Sequence, residues 1–205
     1  MSSLEPRIYL ASKSPRRREL LAQIGVHFDL MLFRAGTRED PQTSEDARAG
    51  ETPDDYVQRV AIAKATHGAQ LIGVRRLAPR PVLAADTTLD VEGEIIGKPQ
   101  DEQDAMAILG RLSGRSHRVL TSVAIAHGAR IEQHTSISEV RFRPLDPEEI
   151  RRYVLSGEPM DKAGAYGIQG RAAIFIEEIR GSHSGIVGLP LCETALLLRR
   201  FGYPA

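Results

Sequence analysis

Residues 81–88 read Pro-Val-Leu-Ala-Ala-Asp-Thr-Thr, and this stretch decides the fold class. Its first five residues are apolar and lie between turn-forming residues. A continuous apolar run of this length is typical of a β-strand that is covered on both faces. We therefore expect a buried strand with helices packed on either side of its sheet, and with Asp86 where the strand ends.

The sequence on both sides of this strand alternates between strand-like and helix-like segments. Glu92-Gly93 predicts a hairpin turn directly after it. The apolar patterns and helix-capping residues predict four further strand-like stretches (8–11, 117–127, 131–143 and 184–187) and five helices (14–25, 53–70, 102–112, from 146 to before 157, and from 190). Together they predict an α/β fold built on one mixed β-sheet flanked by helices.

The bulk composition excludes several classes of protein. The 205 residues suit a single domain over 1–205, and the charges balance, with 27 Lys+Arg against 27 Asp+Glu. A neutral chain argues against nucleic acid as a partner. No apolar stretch approaches the roughly 20 residues that span a membrane, no signal peptide is evident, and Cys192 is the only cysteine. We expect a cytoplasmic protein with no membrane partner.

The first candidate site is the start of the predicted helix at 14–25, where residues 12–18 read Ser-Lys-Ser-Pro-Arg-Arg-Arg. A helix N-terminus presents free N–H groups and attracts anions. The hydroxyls of Ser12 and Ser14 and the guanidinium groups of Arg16 and Arg17 add donors that match phosphate. The alternative is a basic turn exposed to solvent, with Glu19 as a partner.

The second candidate site is Asp86 with Thr87 and Lys98. A carboxylate at the end of a strand can bind Mg²⁺ or accept a proton from water, and Lys98 suits a phosphate. The alternative is that Asp86 caps a turn while Lys98 faces solvent.

A third candidate site is the glycine-rich segment 157–170. Its glycines allow close approach of the backbone to a ligand, with Asp161, Lys162 and Gln169 beside them. An ordinary surface loop, in which Asp161 pairs with Lys162, would also explain the sequence.

These segments in this order resemble the Maf family of nucleotide pyrophosphatases over residues 8 to about 201. The matching motifs lie at 10–17, 85–87, 97–99, 158–170 and 187–191. The resemblance implies an elongated fold with a cleft between two lobes, a homodimer, a divalent metal cation (Mg²⁺ or Mn²⁺) and a nucleotide substrate. It also implies that Asp86 is the proton acceptor, that Arg16, Thr87 and Gln169 govern substrate choice, and that Lys64, Lys98 and Lys162 line the pocket.

Two positions depart from the family pattern. Lys13 stands where relatives more often have a small residue. Relatives also place an acidic pair after the second strand, where this chain reads Gly-Thr-Arg-Glu-Asp at 36–40. Either Glu39 and Asp40 serve through a shifted loop, with Glu39 as a metal ligand beside Asp86, or an acidic ligand is missing.

The segment at 163–170 resembles the family branch that acts on dTTP and UTP. We therefore expect hydrolysis of these nucleotides to the monophosphate and pyrophosphate, with the Gln169 amide pairing with the pyrimidine edge. Two alternatives stay open: the same reaction on a modified purine nucleotide such as 7-methyl-GTP, and a nucleotide- or DNA-binding regulator without turnover.

Overall fold

The structure, a computed structural model, describes residues 6–33 and 43–205. It contains a mixed sheet of seven strands flanked by six helices, which confirms the predicted fold class. The strands are β1 (Arg7–Leu10), β2 (His27–Leu30), β3 (Val82–Val91), β4 (Glu94–Ile96), β5 (Ser116–His127), β6 (Arg130–Phe142) and β7 (Ile176–Arg180). The helices are α1 (Pro15–Gln23), α2 (Pro53–Val74), α3 (Glu102–Leu112), α4 (Pro147–Val154), α5 (His183–Val187) and α6 (Leu191–Arg200).

The strand order is β2-β1-β3-β5-β6-β7, with β4 paired to β3. Strands β2, β1 and β3 are parallel, and the other pairs are antiparallel. On one edge of β3, β1 pairs only with Val82 and Leu83, and β4 pairs only with residues 89–91. The intervening residues 84–88 pair only with β5. This gap between β1 and β4 leaves room for a cleft in the sheet.

Two apolar clusters lie on either side of that gap, and β3 contributes to both. The first contains Leu83 and Ala85 with β1, α1 and α6. The second contains Leu89 and Val91 with α3, α4 and the 3₁₀ turns after α4. Asp86 lies between the two clusters, so each lobe has its own core and the cleft separates them.

Most of the predicted elements are confirmed, because their ends carry local signals. Thr52 caps α2, its side chain accepting a hydrogen bond from Asp55 N, and Asp101 and Asp146 cap α3 and α4 in the same way. Helix α2 runs four residues further than predicted. Its buried face contains Ala61 and Ala65, whereas Ile62 and Ala63 are only half-buried.

Two predictions about strands are wrong. Asp86 is not at the end of its strand: β3 continues to Val91, because it pairs with β5 along its whole length and Asp86 lies opposite Ser122. Residues 184–187 do not form a strand but the short helix α5, because Ser182 accepts a hydrogen bond from Gly185 N and starts a helical turn. Among the described residues, no helix is long and apolar enough to cross a membrane.

Candidate active site

A cleft of about 1150 Å³ opens between the two lobes, and the predicted site residues that the structure describes all line it. These are Ser12, Ser14, Arg16, Arg17, Lys64, Asp86, Thr87, Lys98, Asp161, Lys162 and Gln169. Glu39, the predicted metal ligand, lies outside the described residues. Arg16 and Asp86 therefore open onto one shared cavity, as a site for a single substrate requires.

The start of α1 forms one wall of the cleft. Ser14 is the N-cap residue, but its side chain makes no capping hydrogen bond, and the first turn contains no acidic residue. Within the described part of the chain, the N–H groups of this turn therefore lack the carboxylate or hydroxyl that usually satisfies them. An anion in the cleft could supply the missing acceptor.

Arg17 joins three segments of the site. Its Nε donates to Gly188 O at 2.8 Å, its Nη2 to Thr87 Oγ1 at 3.1 Å, and its Nη1 to Ser12 Oγ at 3.4 Å. Burial lowers the pKa of Arg17, and the negative charges of Asp86 and Glu45 partly offset this effect. A guanidinium has five N–H donors, so two remain for a bound anion.

The hydroxyl of Thr87 is restricted by its neighbours. Thr121 Oγ1 donates its only hydrogen to Gly185 O at 2.8 Å, so Thr87 Oγ1 must donate across the 2.9 Å contact with Thr121. Thr87 thus offers only an acceptor lone pair to a substrate. One of the two lone pairs on Thr87 Oγ1 already accepts the hydrogen bond from Arg17.

Asp86 is buried, and the ammonium of Lys64 compensates its charge. Lys64 Nζ, on α2, donates to Asp86 Oδ1 at 2.8 Å, and Asp86 is 6% exposed. A buried carboxylate is costly unless it is paired and hydrogen-bonded, so this ion pair explains how β3 tolerates an acid at its centre.

Glu45 is a candidate site residue that the sequence analysis missed. Lys64 Nζ also donates to Glu45 Oε1 at 2.6 Å, and Lys98 Nζ lies 3.6 Å from Glu45 Oε2. Burial raises the pKa of Glu45, but the charge and hydrogen bond of Lys64 outweigh this and lower it to about 2. Residues 44–46, Ser-Glu-Asp, were the signal, because they lie in the same polar stretch of sequence as Glu39.

The opposite wall consists of the glycine-rich segment. The Glu158 carboxylate accepts hydrogen bonds from Tyr153 OH at 3.0 Å and Arg171 N at 3.1 Å. A Cβ on Gly170 would lie 2.0 Å from Glu158 Oε1, so a larger residue here would require the Glu158 carboxylate to move. Gln169 is exposed in the cleft, and its amide has no hydrogen-bond partner in the described part of the chain.

One ion pair joins the two walls across the cleft. Arg16 Nη1 lies 3.6 Å from Asp161 Oδ2, while Lys162 Nζ donates to Asp161 Oδ1 at 2.5 Å. The predicted pairing of Asp161 with Lys162 is therefore present, and it occurs inside the cleft rather than on a separate surface.

The chain is similar to known proteins over most or all of its length. The chain is 62% identical to a protein of Aromatoleum aromaticum named dTTP/UTP pyrophosphatase, covering 100% of both chains. It is 61% identical to a protein of the same name from Dechloromonas aromatica, covering 96% of this chain and 98% of the relative. A solved structure of a nucleoside-triphosphatase (dITP/XTP pyrophosphatase) from Mycobacterium abscessus is 14% identical, covers 95% of this chain and 94% of that one, and has a TM-score of 0.47. The family described as Maf-like protein matches residues 7–201, and the chain belongs to this family.

Proposed function

We propose that this chain hydrolyses dTTP and UTP to the nucleoside monophosphate and pyrophosphate. The observation that carries the proposal is the convergence of Arg16, Asp86 and Gln169 on one cleft. One end offers cations and a helix N-terminus for phosphates, the centre offers a buried carboxylate, and the other wall offers a free amide for a base. Relatives that share about three fifths of its residues bear the corresponding name.

The phosphate chain would lie between α1 and Lys98. Arg16 and the free N–H groups of the first turn of α1 can hold phosphate oxygens, and Lys98 adds a charge from the β4 side, with a side chain 57% exposed. Such donors stabilise the negative charge that develops on a transferred or departing phosphate.

Asp86 is placed to accept the proton of the attacking water. Lys64 occupies Asp86 Oδ1 and leaves Oδ2 available. The water oxygen forms a bond to the α-phosphorus, the bond from that phosphorus to its β-bridging oxygen breaks, and the electron pair leaves with pyrophosphate. The proton of the water passes to Asp86 and then to solvent.

The residues present fit a divalent metal that is bound together with the substrate. Within the described residues, no group of three or more His, Cys, Asp or Glu side chains could hold a metal alone. The carboxylates of Glu45 and Asp86, however, both contact the same cation, the ammonium group of Lys64. Mg²⁺ is commonly bound by one or two carboxylates plus substrate phosphates, so we propose Glu45 and Asp86 as its protein ligands. The metal would neutralise phosphate charge.

Gln169 supplies a basis for choosing pyrimidines. Uracil and thymine present an N3–H donor beside carbonyl acceptors, and a side-chain amide can pair with both. A base with another edge would leave these groups unpaired, and such sites reject wrong substrates strongly.

A substrate panel tests the proposal. Pyrophosphate release should be measured for dTTP, UTP, CTP and 7-methyl-GTP with Mg²⁺ or Mn²⁺, for the wild type and for Asp86→Asn. We expect dTTP and UTP to be turned over fastest and Asp86→Asn to lose on the order of 100-fold or more while remaining folded by circular dichroism. Faster turnover of 7-methyl-GTP than of dTTP would refute the pyrimidine assignment, and a fully active Asp86→Asn would remove Asp86 from the mechanism.

We further propose a cytoplasmic homodimer with one domain over residues 1–205. The free, exposed thiol of Cys192 supports a reducing compartment.

A further inference from the structure

Arg59 on α2 holds the backbone of the loop that carries Glu45. Its Nη2 donates to Asp46 O at 3.0 Å, and its Nη1 lies 3.4 Å from Ser44 O. Tyr56, one turn earlier on the same helix, donates its hydroxyl to Glu45 O at 2.8 Å. Three successive carbonyl groups of this loop therefore accept hydrogen bonds from side chains of α2.

Arg59 is itself fixed by an acid. Its Nε donates to Glu51 Oε1 at 2.5 Å and its Nη2 to Glu51 Oε2 at 2.8 Å, and the Glu51 side chain is only 8% exposed. The hydrogen bonds from Arg59 lower the pKa of Glu51 to about 2, so the pair stays ionised at neutral pH. The guanidinium also lies 5.5 Å from the centre of the Tyr56 ring. A planar group held on several sides is well suited to fix a loop.

We propose that Arg59 is a positioning residue that keeps the Glu45 carboxylate at the metal site. Arg59 does not line the cleft, and it acts on the backbone of residues 44–46. This inference rests on the proposed function of Glu45 as a metal ligand. Without the contacts from α2, the loop would sample many conformations, and Glu45 would lose entropy each time it bound the metal. Partners that orient a metal ligand typically contribute 10- to 100-fold in metal affinity.

The chain offers a matched control on the other lobe. Arg143 forms a two-point ion pair with Glu149, donates to Ile174 O at 2.9 Å and to Pro144 O at 3.1 Å, and lies 5.6 Å from the centre of the Phe175 ring. It has the same kinds of contact as Arg59, but none of the residues that it contacts lines the cleft. Replacing either arginine should therefore reduce stability. Only the replacement of Arg59 should also reduce metal affinity.

The experiment measures Mn²⁺ binding by electron paramagnetic resonance in the presence of saturating α,β-imido-dTTP, a substrate analogue that cannot be hydrolysed. Arg59→Lys, Tyr56→Phe, Arg143→Lys, Glu45→Gln and the double variant of Arg59→Lys with Glu45→Gln are compared with the wild type. We expect Arg59→Lys to weaken Mn²⁺ binding about tenfold and Tyr56→Phe to weaken it less. The KM for dTTP at saturating metal should change less than twofold in both, and Arg143→Lys should bind Mn²⁺ like the wild type.

The double variant separates the two proposals. If Arg59 acts through Glu45, adding Arg59→Lys to Glu45→Gln should cause no further loss of Mn²⁺ affinity. Unchanged Mn²⁺ binding in both Arg59→Lys and Tyr56→Phe, or an equal loss in Arg143→Lys, would overturn the positioning role while leaving Glu45 as a ligand. Unchanged binding in Glu45→Gln would remove Glu45 from the metal site, and the role of Arg59 with it.

Discussion

Lys64 Nζ lies 2.8 Å from Asp86 Oδ1, and the same ammonium lies 2.6 Å from Glu45 Oε1. One cation therefore joins a carboxylate from the centre of the sheet to a carboxylate from a loop. The Lys64 and Asp86 side chains are 12% and 9% exposed, so solvent screens their interaction only weakly, whereas the Glu45 side chain is 50% exposed. Lys64 therefore holds these two carboxylates of the cleft beside one cation.

Replacing Lys64 should therefore change the pH dependence of the enzyme. The Lys64 ammonium is the largest influence that lowers the pKa of Glu45, so its removal should raise that pKa. In Lys64→Met, Glu45 should take up a proton at higher pH, and the acid limb of kcat/KM should move to higher pH. The kcat/KM profile is the appropriate measurement, because it reports the free enzyme. Lys64→Arg, which keeps a cation, is the control, and an unmoved acid limb in Lys64→Met would contradict the account.

The sequence predicts those parts of the structure that depend on local contacts. Thr52, Asp101 and Asp146 cap their own helices, and Glu92-Gly93 turns its own hairpin, so each signal lies within a few residues of its effect. The short stretch at 184–187, Ser-Gly-Ile-Val, was ambiguous, because a short strand and a buried helical turn can share that pattern.

The details of the site depend instead on distant contacts. Asp86-Thr87-Thr88 resembles the exit of a strand, but β5 continues to pair with it and Lys64 neutralises the acid from 22 residues away. Likewise, the polar loop contains several acids. Side chains of α2 hold the backbone on both sides of Glu45, at Ser44 and Asp46. Neither fact is encoded in a local motif.

Removing the Arg16 side chain should weaken binding of the triphosphate more than it slows the chemical step. Arg16 is 29% exposed at the mouth of the cleft and faces Asp161 across it. A charge-assisted hydrogen bond contributes about 1.5–3 kcal/mol, so we expect Arg16→Ala to raise the KM for dTTP about 10- to 100-fold. Steady-state kinetics check this, with Arg18→Ala as the control. Arg18 lies on the same helix outside the lining of the cleft, and an equal rise in KM for Arg18→Ala would argue for a general effect of charge.

Alanine should be poorly tolerated at position 164, because of both the backbone conformation there and the lack of space for a side chain. Gly164 has a φ of +73°, and a Cβ there would lie 2.2 Å from Leu89 Cδ2 in the core of the second lobe. Gly157 has almost the same φ, +74°, but open space around it. Gly157→Ala should therefore destabilise the protein by about 1–2 kcal/mol from backbone strain alone. Gly164→Ala should add about 1–3 kcal/mol for overpacking.

Urea unfolding of the two glycine variants gives the comparison directly. The quantity of interest is the difference between their free energies of unfolding, since the backbone contribution is shared. Equal destabilisation would mean that Leu89 moves aside at no cost. In that case, the close packing of the glycine-rich segment against β3 would not be the contact that holds Gln169 in place.

The buried pair of His117 and Tyr166 should make the fold sensitive to acid. His117 Nε2 lies 2.8 Å from Tyr166 OH, and burial lowers the pKa of His117 to about 4 from its ordinary 6.5. As the pH falls through 6.5, His117 binds a proton in the unfolded chain but stays neutral in the folded chain until about pH 4. Stability is therefore lost over this interval. One pH unit of displacement corresponds to about 1.4 kcal/mol, so the loss is about 3 kcal/mol.

His117→Gln should abolish this loss, because the amide stays neutral throughout the interval. The free energy of unfolding in urea should be measured at pH 7 and at pH 4 for the wild type, for His117→Gln, and for His127→Gln at the exposed end of β5. We expect His117→Gln to start less stable at pH 7 but to lose about 3 kcal/mol less on acidification than either of the others. Equal losses in the free energy of unfolding for all three proteins would show that His117 becomes protonated within the fold. Tyr166 or water would then accommodate its charge.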